Sequence, residues 1–117
     1  MKLKEYHDDA MQLIGYYFHC PGCGTRHAVS TTRPNSSGAR WSFNGNLDKP
    51  TFSPSLNQRT GPWPDGARIH GRDVGGKIEI CHLNVTDGIC DFHADSTHEH
   101  AGQKLPLLDL LAEDLSL

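Results

Sequence analysis

The residues best equipped for chemistry in this 117-residue chain are its four cysteines and eight histidines. Cys20-Pro21-Gly22-Cys23-Gly24 is a tight turn carrying two thiols. Two thiolates reach a common ion at about 2.3 Å, and glycine gives the backbone the freedom to bring them there. The same spacing occurs in redox dithiols, which open a helix in an α/β setting. Here the flanks are β-like, which favours a structural zinc. Cys81 lies in an alternating strand and is the expected third ligand. His82 then points to the opposite face, because side chains alternate along a strand. His27, four residues past Cys23, is expected to have run away from the turn. That leaves His98 as the fourth ligand, and Cys90 as a buried apolar thiol.

A second group of chemically able residues follows. His82, Asp95, Ser96 and His98 supply a hydroxyl, imidazoles and a carboxylate. These are the parts of a nucleophile, base and orienter system. They are equally the parts of a metal centre holding an activated water through His82, Asp95 and His98. The plain alternative is a turn capped by Asp95 with surface histidines around it. Ser53 and Ser55, on either side of Pro54, offer further hydroxyls. Ser55 reads as ordinary turn and edge chemistry.

The elements that must position these groups are mostly strands. Leu13–Phe18 is apolar and aromatic, and Arg26–Thr31 returns as a second strand after the cysteine turn. Thr32–Arg40 reads as a loop, Trp41–Phe43 as a short strand, and Asn44-Gly45 as a turn. Pro50–Leu56 is extended around its prolines. Gln58–Gly76 lacks periodicity and reads as a long mobile loop. Lys77–Val85, the turn Thr86-Asp87-Gly88 and Ile89–Phe92 form a hairpin. Leu107, Leu108, Leu111 and Leu115 share one helical face after Pro106, which predicts a short C-terminal helix.

Apolar residues make up 36% of the chain and charged residues 21%, so the core is modest and a metal would supplement it. A net charge of −3, with lysine and arginine scattered, argues against nucleic-acid or anionic-membrane partners. No stretch reads as a signal peptide or a transmembrane span. The expectation is one cytoplasmic domain over residues 1–117, in a compartment where cysteines hold metal rather than disulfides.

Four blocks together resemble one family. They are Phe18-His19-Cys20-Pro21-Gly22-Cys23-Gly24 with His27; Trp41, Asn44-Gly45-Asn46 and Lys49-Pro50-Thr51-Phe52-Ser53-Pro54-Ser55; Cys81-His82 and Asp87-Gly88; and Asp95-Ser96-Thr97-His98 with Ala101-Gly102-Gln103 and Leu105-Pro106. The resemblance spans nearly all of residues 13–106. It is to small phage and bacterial proteins of unknown function, some mislabelled ammonia monooxygenase. Relatives lie in bacterial operons for ubiquitin-like protein conjugation and are proposed to be peptidases. The family pattern has cysteine or serine at the position of Ser96, which suits a nucleophile or a small buried residue. This chain departs from it at Leu83-Asn84, where relatives carry serine and an aromatic, at Glu99-His100 and at Leu108-Asp109-Leu110. Nothing in these residues supports a copper or monooxygenase site.

The resulting expectation is a zinc-stabilised, mostly β hydrolase, a peptidase acting on a peptide or ubiquitin-like protein tail. Cys20, Cys23, Cys81 and His98 hold the zinc. His82 is the general base, Asp95 orients it, and Ser96 or Ser53 is the nucleophile. The competing expectation is a non-catalytic zinc-binding module that recognises a protein partner.

Overall fold

Alternation of apolar and polar side chains organises residues 79–92 into the hairpin at the centre of the structure. A computed structural model describes residues 1–69 and 71–110. Its strands are β1 (Lys4–His7), β2 (Leu13–His19), β3 (Arg26–Ser30), β4 (Ser42–Phe43), β5 (Phe52–Thr60), β6 (Arg68–Ile69), β7 (Arg72–Asp73), β8 (Glu79–Thr86), β9 (Ile89–Phe92) and β10 (Lys104–Pro106). Among the described residues they form a three-stranded sheet β1-β2-β3, a five-stranded sheet β10-β9-β8-β5-β4 and the ribbon β6-β7. The pairings between named strands are antiparallel. None of the described residues is helical, and no helix among them is long and apolar enough to cross a membrane.

The β8–β9 hairpin closes through Asp87-Gly88, both with positive φ (50° and 77°), between the partners Thr86 and Ile89. Positive φ at both central residues matches the right-handed twist of the flanking strands, and Asp-Gly suits it. Cys81, Leu83 and Val85 of β8 and Cys90 and Phe92 of β9 are buried. They meet Phe18 and Val29 of the smaller sheet and Phe52 and Leu56 of β5 in one core. Phe18 stacks on Phe52 at 6.3 Å and Tyr16 meets Phe43 at 4.8 Å, joining the two sheets.

Two sequence expectations change. Within 58–76, β5 runs on to Thr60, β6 and β7 pair, and Trp63 bridges to Gly75. Val74, 1% exposed, anchors this segment, and one buried apolar residue is too little to create a visible period. At the C-terminus, Lys104–Pro106 is a strand on β9, and Leu107 enters the core without helix. The remainder of the expected helix, from residue 111, lies outside the described residues.

Candidate functional site

The cysteine turn joins β2 to β3. The Cys20 N–H donates to the Thr25 carbonyl, and the Gly24 N–H donates to the Cys20 carbonyl. Gly24 has φ 78°, a conformation open to glycine at little cost. At Gly22 a Cβ would meet the Phe92 ring at 2.6 Å and His98 Cε1 at 2.7 Å, so the turn packs flush on those rings.

Four ligand atoms converge there. Those of Cys20, Cys23, His27 and Cys81 lie within 4.8 Å of one another, and the group could hold a metal ion. Cys20 Sγ is 3.8 Å from Cys81 Sγ, and His27 Nε2 is 3.4 Å from Cys23 Sγ. Mutual hydrogen bonding with Cys20 and Cys81, then with His27, holds the Cys23 thiol below its ordinary pKa. Hydrogen bonds with Cys20 and Cys23, and burial after them, push the Cys81 thiol up. Burial pulls His27 down, but hydrogen bonds to Cys20 and Cys23 and their charge outweigh it and raise it to about 9. Thiol ligands bind a metal in their deprotonated form, so a cation held here would take the place of protons in the set.

His27, not His98, is the fourth member of this set. The expectation that His27 runs away from the turn fails on register. Phe18 pairs with His27 in the β2–β3 hairpin, so its side chain shares the face of Phe18 and Cys20. Only 2% exposed, it sits against the Phe18 ring at 5.2 Å. His98 has a different position. The His100 N–H donates to its Nδ1 at 3.2 Å, which leaves the proton on Nε2, 3.5 Å from Cys81 Sγ. From there it donates to the sulfur of a candidate ligand, the outer-sphere contact that stabilises a thiolate. Cys90 lies outside the set, and burial raises its thiol pKa.

The other face of β8 carries the second group. His82 pairs with Asn57 and Asn84 with Asp91, so these side chains share the outward face. Between Phe52 and Leu56 the β5–β8 register shifts: Phe52 is opposite Val85 but Leu56 is opposite Leu83. Ser53, Pro54 and Ser55 therefore face Asn84 alone, in a bulge of the kind that re-aims side chains. Ser55 Oγ lies 3.2 Å from His82 Nε2. The Trp41 indole N–H donates to the Ser55 carbonyl at 3.2 Å and holds the bulge in place.

Asp95 completes this arrangement. Its Oδ1 and Oδ2 lie 3.0 and 3.2 Å from His82 Nδ1. An ionised carboxylate only accepts, so Nδ1 carries the proton and Nε2 of the neutral ring accepts from the Ser55 hydroxyl. Residues 93–97 dock beside β8 to place Asp95. The His93 N–H donates to the His82 carbonyl, and the Thr97 N–H donates to the Ile80 carbonyl.

The expected nucleophiles lie elsewhere. Ser96 Oγ accepts from the His82 N–H at 3.0 Å and donates to the His82 carbonyl at 3.1 Å. Its buried hydroxyl grips the backbone of His82 rather than its ring. Ser53 pairs with Ser42 and accepts the Ser42 hydroxyl on its carbonyl. Among the described residues, the hydroxyl bonded to the His82 ring is that of Ser55. Ser55 could have been found by asking which serine lies beside the outward face of Cys81-His82, but the bulge that aims it has no sequence signature of its own. The metal set His82, Asp95 and His98 does not assemble, because His98 is on the core side with Cys81.

A cavity of about 270 Å³, lined among others by Trp63, Ile69, Arg72, Ile80, Cys81 and His98, opens on the cysteine side of the sheet. Ser55 is not part of it. Near the bulge lies a shallower depression of about 540 Å³ formed by Thr31, Arg40, Trp41, Ser42, Phe43 and Ser53.

The family model described as bacterial ubiquitination-like system serine protease (BubE) matches residues 4–93. The match contains the whole cysteine-histidine set, Ser55 and His82, and ends two residues before Asp95. It agrees with the resemblance to proteins of ubiquitin-like conjugation operons. No curated protein and no solved structure matches the chain.

Proposed function

The chain belongs to the BubE family of bacterial ubiquitination-like system serine proteases, and on that premise we propose that it is a peptidase with Ser55 as its nucleophile. The observation carrying this reading is the continuous chain Ser55 Oγ–His82–Asp95, at 3.2 and 3.0 Å. In the reaction, the Ser55 oxygen attacks the scissile carbonyl while its proton passes to His82 Nε2. The resulting imidazolium is stabilised by Asp95 at Nδ1 and returns the proton to the leaving amine. Water, activated by the same imidazole, then releases the acyl group from Ser55.

The substrate is a protein tail rather than a small molecule. The triad stands on an outward sheet face, and the neighbouring Trp41–Phe43 depression is open enough for an extended chain. The family's ubiquitination-like setting makes the tail of a ubiquitin-like protein the substrate to try first.

The ion held by Cys20, Cys23, His27 and Cys81 is zinc in this reading. Three sulfurs and one imidazole nitrogen form a closed structural zinc set. When bound, it ties the β2–β3 turn to β8; the peptide chemistry stays with Ser55, His82 and Asp95.

A fluorophosphonate probe tests the assignment. It is expected to label Ser55, found by peptide mapping, and to leave Ser55→Ala and His82→Ala unlabelled, while Ser53→Ala labels as wild type does. Label on another serine, or equal labelling of Ser55→Ala, overturns it.

A further inference from the structure

On the outward face a third side chain attends the triad. His93 follows β9, and its ring stacks on His82 at 3.8 Å with 11° between the planes. Its Nε2 lies 2.6 Å from Asn84 Oδ1, a carbonyl oxygen that only accepts, so Nε2 carries the proton. Asn84 thus occupies Nε2, and Nδ1 is the nitrogen available to an ion.

Ligand atoms of His82, His93 and Asp95 lie within 4.8 Å of one another. Two imidazoles and a carboxylate form a donor set suited to zinc and similar ions. Ligand bonds of about 2.0–2.2 Å require donors no more than about 4.4 Å apart, so closing the set on an ion draws the donors together and opens the His82–His93 stack, since imidazole lone pairs lie in the ring plane. Asp95 is more than half exposed and leaves a path from solvent.

We propose that His82, His93 and Asp95 form a second, inhibitory site for a zinc-like divalent cation. The proposal rests on the serine-protease reading of the same residues. The ion takes the place of the proton between His82 Nδ1 and Asp95. In the neutral ring that proton then resides on Nε2, and His82 presents a donor to Ser55 instead of an acceptor. The Ser55 proton has nowhere to go, and nucleophilic attack stops. No ligand is shared with the cysteine-histidine set, so the two sites fill independently. His93 decides whether the outward site exists: without it the triad offers one imidazole and one exposed carboxylate, too few for tight binding.

The test uses the full 117-residue chain loaded with one zinc, titrated with zinc at buffered concentration. Wild type and Ser55→Ala are expected to take up a second ion by equilibrium dialysis. His93→Ala, and His93→Gln as a variant closer in size and polarity, are expected to weaken that ion at least tenfold. In parallel, occupation of the second site should suppress fluorophosphonate labelling of Ser55 in the wild type. Each His93 variant, normalised to its own zinc-poor labelling, should need at least tenfold more zinc for the same suppression. A wild type that stops at one ion per chain overturns the inference, as does a second ion indifferent to both His93 variants. A His93-dependent second ion on a protein whose Ser55 is never labelled overturns the protease reading, and the inhibitory role with it.

Discussion

The inward and outward faces of β8 use similar residue types in opposite surroundings. Inward, Cys81 joins Cys20, Cys23 and His27, and all but Cys23 are buried. Outward, His82 meets Ser55, Asp95 and His93 in partial or full contact with solvent. In the buried group three thiols and one imidazole crowd a single point that one cation could occupy. On the open face each donor has its own acceptor, in the order Ser55, His82, Asp95. The difference teaches that histidine next to cysteine does not imply one site. In a strand the two side chains stand on opposite faces, so any site each joins is separated by the thickness of the sheet.

This contrast can be broken from either side. The largest effect is expected from Cys81→Ser. It should lose the metal and, with it, the cooperative fold, since a structural zinc contributes on the order of 10 kcal/mol in small zinc-dependent domains. Metal analysis and thermal melting check this, and a strong chelator should reproduce it. Ser55→Ala should do the opposite: peptide cleavage falls by about 10⁴-fold or more, while metal content and melting temperature stay at wild-type values. If both variants lost metal and fold together, the two faces would not be separate sites.

Smaller perturbations sharpen the division. Ser96→Ala removes both hydrogen bonds to the His82 backbone. The His82 carbonyl keeps the His93 N–H, but the His82 N–H is left without a partner, which should cost about 1–3 kcal/mol in denaturant unfolding. Activity should drop through misplacement of His82, far less than in Ser55→Ala. The smallest effect on activity belongs to His98→Ala. Loss of the donor to Cys81 Sγ should weaken metal affinity by about 10–100-fold in chelator competition. Labelling of Ser55 at saturating metal should be retained.

Much of this was legible in the chain itself. Cys20-Pro21-Gly22-Cys23 announces a ligand turn through spacing and glycine alone. Alternation in Lys77–Val85 announces both the hairpin and the division of Cys81 from His82, because a strand's period of two is a local property. Asp95 as the partner of His82 followed from the clustering of chemically able residues around one hairpin, together with the family resemblance.

Tertiary structure alone decided the rest. His27 replaced His98 because the β2–β3 register returns it beneath the turn, and register depends on pairing between strands. Ser55, rather than Ser96 or Ser53, meets the His82 ring because a bulge against β8 turns it that way, and a bulge is defined only relative to its partner strand. Residue types and local period determined which chemistries this protein could hold. Long-range pairing determined which hydroxyl and which imidazole were brought to each.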